Sequence, residues 1–178
     1  MKESDFIEAL LERRQIYLDD DIEEGFVEKI IKLLMFLDSK ERRKTIFLYI
    51  NSNGGDVMAG LRLYSFIKHV LISPVTGIVI GEANSMALVV LQACKRRIAL
   101  KTSRFFLHNL KLKLNKEWNE FLNFAEQELK EIKEMQEEVF RVLGEKGRIE
   151  TIKEISEKKV MINADQALEL GLIDEIIG

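Results

Sequence analysis

In this 178-residue chain, a serine at a predicted strand-to-helix turn is a candidate nucleophile. In the stretch GEANSMALVVLQA, residues 81–93, a hydrophobic run ends in small residues and Ser85 opens an apolar helical pattern. A helix N-terminus offers unpaired N–H groups and a positive dipole end, which would stabilise an oxyanion forming beside the hydroxyl. Serine is also a preferred N-cap residue, and a cap is its commoner role at such a position. The turn alone therefore leaves both interpretations open.

A nucleophilic serine needs a general base, and the chain contains two histidines. His69 falls on the polar side of a predicted amphipathic helix, which indicates a surface residue. His108 ends the predicted strand RFFLHN, residues 104–109, at the kind of strand end where active-site groups collect. Because imidazole titrates near neutral pH, His108 is the better candidate base for Ser85. A half-buried histidine bonded to backbone is the alternative interpretation of this residue.

A pair of glycines supplies a second turn of the same kind. Gly54 and Gly55 follow a buried strand and precede a helix. Glycine at such a point permits a sharp turn and a close approach to backbone N–H groups. Neither G-x-x-x-x-G-K-S/T nor G-x-G-x-x-G is present, so a phosphate-binding loop is not indicated. Taken alone, the glycine pair predicts an ordinary strand-to-helix turn.

The elements that must position these residues alternate between strand and helix. Short runs of β-forming residues predict strands at 15–18, 45–50, 75–81, 97–101, 104–109 and 110–115. Apolar residues at helical spacing predict helices at 4–13, 22–38, 56–70, 85–94 and 117–143. Asn163 and Gln166 predict a capping box at the start of a further helix. This order indicates an α/β fold, a parallel sheet with crossover helices, in a single domain over residues 1–178.

The composition excludes several classes of function. A net charge of −3 and a pI near 5.6 give no electrostatic footprint for nucleic acid. The single cysteine, Cys94, excludes an internal disulfide and a cysteine-built zinc site. No apolar run approaches the roughly 20 residues needed to span a membrane, and the N-terminus lacks the apolar core of a signal peptide. We therefore expect a cytoplasmic protein with no nucleic-acid or membrane partner.

Four motifs in this order resemble those of the Clp peptidase family, the proteolytic subunit of ATP-dependent Clp protease. The resemblance runs from about Arg14 to the C-terminus, and its motifs read TIFLYINSNGGDVMAGLRLY, GEANSMA, SRFFLHN and NADQALELGLID. It implies an α/β domain of the Clp peptidase–crotonase fold, with repeated ββα units and a protruding handle. The handle would be the strand and long helix of residues 110–143, and residues 1–13 would form a short N-terminal segment.

The resemblance also implies roles for the site residues. Ser85 would be the nucleophile, His108 the general base, and the backbone N–H groups of Gly55 and Met86 the oxyanion hole. No metal or cofactor would be required. A serine endopeptidase of this kind would act on unfolded polypeptides inside stacked homo-oligomeric rings, with an AAA+ unfoldase as a candidate partner. The positions that match the family's apolar docking pocket are Phe47, Tyr49, Ile78 and Ile80.

Lys159 stands at the position that matches the family's third catalytic residue, usually an aspartate. That acid accepts the Nδ1–H bond of the histidine, fixes its tautomer and stabilises the imidazolium, none of which lysine can do. Glu157, Asn163 or a backbone carbonyl are the alternative acceptors. Without the acid the enzyme would be slow, or the chain would be a non-catalytic ring subunit. A third hypothesis is an acyl-CoA enzyme of the shared fold, in which the glycine turn would bind a thioester oxyanion.

Overall fold

The structure is a computed structural model that describes residues 3–110 and 118–178, with side chains described at 5–110 and 129–178. In chain order, the elements are α1 (Glu3–Glu12), β1 (Gln15–Leu18), α2 (Glu24–Lys40), β2 (Ile46–Ser52), α3 (Val57–His69), β3 (Val75–Ala83), α4 (Met86–Gln92), β4 (Arg96–Leu100), β5 (Arg104–Phe106), α5 (Trp118–Gly144), α6 (Ile149–Lys158), β6 (Met161–Asn163), α7 (Ala164–Glu169) and β7 (Glu175–Ile177). The predicted strand at 110–115 lies outside the described residues except for Leu110, which belongs to no strand. No helix within the described ranges is long and apolar enough to cross a membrane.

The main sheet is built from parallel pairings in the order β1-β2-β3-β4-β7. Its register pairs Tyr17 of β1 with Tyr49 of β2, and Tyr49 with Ile78 of β3. Parallel neighbours must be joined by crossover connections, and the helices between the strands supply them. The ends of β2 and β3 therefore lie at one edge of the sheet, where the glycine turn and the serine turn follow them. The predicted α/β class with a parallel sheet is confirmed.

A smaller set of strands carries the histidine region. β5 pairs in parallel with β3 through Arg104 and Glu82, and in antiparallel fashion with β6 as far as the pair Phe106–Met161. The prediction that this strand reaches His108 is wrong, because β5 ends two residues earlier. β6 begins at Met161, which pairs with Phe106, so the ladder between the two strands ends there. His108 consequently lies on the segment that leaves the strand.

Helix α4 is enclosed by the core, and its sequence explains why. Residues 86–91 are apolar at every position and are at most 1% exposed. A helix without a polar face is stable only where other elements cover all of its sides. Helices α3 and α5 and strand β3 contact α4. The start of α4, at Ser85, is therefore the point where this buried helix meets the surface.

Two short helices follow α5 and set the position of β6. α6, which the sequence pattern does not predict, ends at Lys159 in the left-handed conformation, with φ +51°. α7 begins with the predicted capping box: Gln166 N–H donates to Asn163 Oδ1 at 2.9 Å, and Asn163 N–H donates to Gln166 Oε1 at 3.0 Å. The capping-box prediction is thus confirmed. β6 is the three-residue link between the end of α6 and this cap.

A buried arginine joins β4 to the residue before β7. The side chain of Arg97 is 2% exposed and donates to Asp174 from Nε at 3.0 Å and from Nη2 at 2.5 Å. Its Nη1 donates to the Gly171 carbonyl at 2.8 Å. Burial acts to raise the pKa of the Asp174 carboxyl, but the hydrogen bonds from Arg97 hold that pKa below its ordinary value. Such a carboxyl adds stability above its unfolded-state pKa, which is lost as the pH falls through the folded-state pKa.

We predict that Asp174→Asn lowers the free energy of unfolding at pH 7 by about 1–2 kcal/mol, because charge-assisted hydrogen bonds from Arg97 are lost at a partly exposed carboxyl. The variant should also lose less stability than the unmodified chain between about pH 5 and pH 2. Denaturant unfolding at several pH values measures both effects. Asp165→Asn is the matched control, because the carboxyl of Asp165 pairs with Lys101 at an exposed site. Equal pH dependence in the two variants would contradict the assignment.

Candidate active site

Ser85 occupies the N-cap position of α4 in a strained conformation. Its φ of +49° and ψ of −119° lie in a region that non-glycine residues rarely adopt, at a cost of about 1–3 kcal/mol. The Ser85 N–H donates to the Phe106 carbonyl of β5 at 2.8 Å, and Ala87 N–H donates to the Asn84 carbonyl at 2.9 Å, which hold the turn. Its hydroxyl makes no capping hydrogen bond with the described residues. Capping therefore does not account for this serine.

The glycine turn touches the serine turn. Gly54 has φ +92°, and a methyl group built on it would lie 2.9 Å from both the Met86 amide nitrogen and Ser85 Cβ, and 2.6 Å from the Asn84 carbonyl oxygen. A side chain at this position would displace the turn that carries Ser85. Asn84 N–H donates to the Ser52 carbonyl at 3.0 Å, which ties the end of β3 to the end of β2. Glycine is thus required at position 54 because it allows the glycine turn to contact the serine turn.

Two backbone N–H groups near this contact are available to a ligand. Ile22 N–H donates to the Gly54 carbonyl and Asp56 N–H donates to the Ile22 carbonyl, a parallel bridge that leaves the Gly55 N–H unused. Met86 is the first residue of α4, so its N–H has no partner inside the helix. Neither amide donates a hydrogen bond to another residue of the described ranges. Both belong to turns at helix N-termini that were predicted to supply an oxyanion hole.

His108 is half-buried and follows β5. Its Nδ1 lies 2.7 Å from the carbonyl oxygen of Asn109, and its ring centroid lies 5.6 Å from that of Phe106. A carbonyl oxygen only accepts hydrogen bonds, so a hydrogen bond across this contact requires a proton on Nδ1. The hydrogen bonds of the described side chains do not include one between His108 and Ser85. The two residues are connected through the bond from Ser85 N–H to Phe106, two residues before the histidine.

Lys159 lies where the sequence comparison placed the missing acid. The antiparallel ladder of β5 and β6 ends at the pair Phe106–Met161, so neither Lys159 nor His108 belongs to it. Lys159 is exposed and occupies the left-handed C-cap of α6.

The groups considered from sequence as acceptors for Nδ1–H of His108 differ in whether they contact the ring. The side chain of Asn163 is engaged in the capping box of α7, and Glu157 is exposed on α6. The carbonyl of Asn109 contacts Nδ1. Of the acceptors considered from sequence, the backbone carbonyl is therefore the one that contacts the ring.

Asn84, directly before the serine, belongs to a polar cluster that sequence reasoning missed. It is 6% exposed, and its Nδ2 donates to Glu82 Oε2 at 2.6 Å and to Asn53 Oδ1 at 3.3 Å. Its Oδ1 is buried with no hydrogen-bond partner among the described residues. A turn rich in small and polar residues signals a bend, but it does not indicate which side chains will meet. The cluster connects the glycine turn to the serine turn.

Other reactive groups of the described chain are less suited to catalysis. Burial raises the pKa of the Cys94 thiol to about 12, so the thiolate is scarce at neutral pH. His69 is exposed at the end of α3, as predicted. Within residues 3–110 and 118–178, no group of three or more histidine, cysteine, aspartate or glutamate side chains is arranged to hold a metal ion. Ser85 and His108 are therefore the candidates for acyl transfer.

Comparison with known families matches the Clp protease family over residues 1–178. The chain belongs to the Clp protease family. Its relatives include ATP-dependent Clp protease proteolytic subunit 3 of Synechococcus sp. (strain CC9605), 33% identical over 168 residues, and proteolytic subunit 2 of Prochlorococcus marinus (strain MIT 9313), 31% identical over 166 residues. Each alignment covers 92% of this chain and 82% of the relative. The family resemblance predicted from four motifs is confirmed, and Clp proteolytic subunits are serine peptidases.

We predict that Gly54→Ala disrupts the site of this Clp protease subunit, because the added methyl meets the Asn84 carbonyl at a positive φ. The free energy of unfolding should fall by about 2–4 kcal/mol, and reaction of Ser85 with an acylating probe should slow at least about tenfold. Gly25→Ala is the matched control, since a methyl on Gly25 meets nothing within 4 Å. Because Gly25 lies in α2, the control should gain about 0.5–1 kcal/mol. Similar losses in both variants would contradict a specific role for Gly54.

Proposed function

We propose that this chain is a serine endopeptidase in which Ser85 is the nucleophile and His108 the general base. The amides of Gly55 and Met86 form the oxyanion hole in this proposal. The observation that carries it is the Ser85 turn, which is strained, uncapped within the described chain and packed against the glycine turn. Strained backbone conformations cluster at active sites, where they position a reactive group at a cost in stability.

In the proposed reaction, the Ser85 oxygen forms a bond to the carbonyl carbon of a peptide while the hydroxyl proton passes to Nε2 of His108. The carbonyl π electrons move onto oxygen, and the two amides bind that oxyanion. The imidazolium then returns the proton to the leaving amine as the C–N bond breaks. Water repeats the sequence on the acyl-enzyme and releases the second product.

We also propose stacked homo-oligomeric rings that receive unfolded polypeptide from an AAA+ unfoldase. The names of the relatives, which describe proteolytic subunits of an ATP-dependent protease, support this proposal. So does an apolar face on β2 and β3 formed by Phe47, Tyr49, Ile78 and Ile80, which are half-buried or, for Ile80, 37% exposed. Helix α1 occupies the N-terminal segment, so contact with an unfoldase through a flexible N-terminal loop is not part of the proposal.

A fluorophosphonate probe tests the nucleophile. We expect one adduct on Ser85 of the assembled protein, found by peptide mass spectrometry, and none in Ser85→Ala. His108→Ala should slow labelling about 100-fold or more, because a general base contributes that much to proton transfer. His69→Ala is the control and should label as the unmodified chain does. An assembled protein that is not labelled, or a Ser85→Ala variant that still is, would contradict the proposal.

The second candidate function is a ring subunit with little or no catalysis of its own. Lys159 favours it, since the resemblance aligns this lysine, and not a carboxylate, with the third catalytic residue of the family. Such a subunit would retain the assembly surfaces of the family while contributing little hydrolysis. Residual reactivity of Ser85 distinguishes the two candidates.

We predict that Lys159→Asp increases the rate of Ser85 labelling about tenfold, because it restores a carboxylate at the position that the resemblance aligns with the acid of the family, where an anion would favour the imidazolium that forms in the reaction. Aspartate tolerates the left-handed conformation of this position, so the variant should fold. Lys158→Asp is the matched control, with the same change of charge one residue away. A gain in both variants would indicate a general effect of charge. No gain at position 159 would contradict a productive site facing it.

A further inference from the structure

We infer that the backbone carbonyl of Asn109 replaces the missing triad carboxylate by accepting the Nδ1–H of His108. Ser156 and Gln136 are the positioning residues that hold this carbonyl. The inference rests on the proposed function, because it assigns the groups that orient the general base of the same site.

The first step is the contact itself. Nδ1 of His108 and the Asn109 oxygen are 2.7 Å apart, a normal hydrogen-bond length. Because the oxygen can only accept, the proton stays on Nδ1 and the lone pair on Nε2, the nitrogen needed to take the proton of a serine hydroxyl. In serine proteases, changing the triad aspartate to asparagine costs roughly 10⁴ in kcat, attributed to the wrong tautomer. A carbonyl cannot donate, so it avoids that failure.

The second step is the hold on Asn109. The Ser156 hydroxyl donates to Asn109 Oδ1 at 2.8 Å. Ser156 is 1% exposed on α6, and α6 packs against α5. A buried hydroxyl on a packed helix gives the exposed Asn109 a fixed anchor. The residue next to the histidine is therefore tied to the core through its side chain, while its carbonyl remains directed at the ring.

The third step is the hold on the following residue. Leu110 N–H donates to Gln136 Oε1 of α5 at 2.5 Å. The Nε2 group of Gln136 is buried without a hydrogen-bond partner in the described chain, which costs about 1–3 kcal/mol. An apolar residue of similar size would avoid this cost, so packing alone does not explain a glutamine here. The hydrogen bond that the Gln136 oxygen accepts from Leu110 does explain it. Helix α6 thus holds Asn109, and helix α5 holds Leu110.

The fourth step concerns what a carbonyl does not supply. Hydrogen bonds to an ionised acceptor are about twice as strong as those to a neutral one, so Asn109 stabilises an imidazolium less than a carboxylate would. Lys159, which the resemblance aligns with the acid of the family, supplies no carboxylate that could add to this stabilisation. The site should therefore contain the correct tautomer and react more slowly than a complete triad. This combination distinguishes the inference from both an intact and an inert site.

Nitrogen-15 NMR of histidine-labelled protein tests the inference directly. In a His69→Gln background only His108 contributes, because the chain has two histidines. At a pH where the ring is neutral, we expect the proton on Nδ1. Ser156→Ala and, separately, Gln136→Met should shift the population toward the Nε2–H tautomer and slow fluorophosphonate labelling about tenfold. Ser73→Ala is the control, a buried serine that precedes β3 and whose N–H and hydroxyl donate to Asp38 and to the Glu41 carbonyl at the end of α2, away from the candidate site.

The outcomes separate this inference from the proposed function. Two results overturn the inference and leave the proposed function intact. In the first, the unmodified chain is labelled but His108 carries its proton on Nε2. In the second, both Ser156→Ala and Gln136→Met keep the Nδ1–H tautomer and the labelling rate of the unmodified chain. An equal effect in Ser73→Ala also overturns it, because the effect would then report general destabilisation. An assembled chain that is not labelled overturns the proposed function, and the inference with it.

Discussion

The hydrogen bond from the Ser85 N–H to the Phe106 carbonyl is the interaction on which the site depends. It fastens the turn at the start of α4 to the strand that leads to His108, and it is made by the backbone of a residue in a strained conformation. The strain is tolerated because α4 is buried on all sides and cannot shift to relieve it. Burial of one apolar helix thus fixes the position of a serine at its end, and backbone pairing brings the histidine segment beside it.

The charge balance of the site differs from that of a complete catalytic triad. The resemblance aligns Lys159 with the acid of the family, and a neutral carbonyl contacts Nδ1 of His108. Orientation of the ring and stabilisation of its charged form are separate tasks, and a carboxylate performs both. A carbonyl performs the first well and the second weakly. In the proposed site, the ring would therefore be oriented as in a serine peptidase, while weaker stabilisation of the imidazolium would lower the rate.

Sequence patterns predicted the features that depend on local chemistry. The all-apolar run of α4, the parallel strands and the capping box of Asn163 follow from side-chain type and spacing, and each is confirmed. The end of β5 and the existence of β6 depend on a pairing of three residues between segments distant in the chain, which leaves no periodic signal. The contact of the Asn109 carbonyl could not be predicted either, because backbone atoms are the same at every position. The roles of Ser85, His108, Gly55 and Met86 came from family motifs and remain proposals.

The short ladder between β5 and β6 makes the register of this region sensitive to chain length. Side chains alternate between the two faces of a strand, so a shift of one residue in the pairing of β6 with β5 would exchange the side chains on the two faces of β6. Divergence in this corner of the fold could therefore alter reactivity without touching any residue that meets the substrate. Family members with a longer or shorter connection between α6 and β6 would differ in reactivity even where their motif residues are identical. A comparison of motif residues alone would overlook this difference.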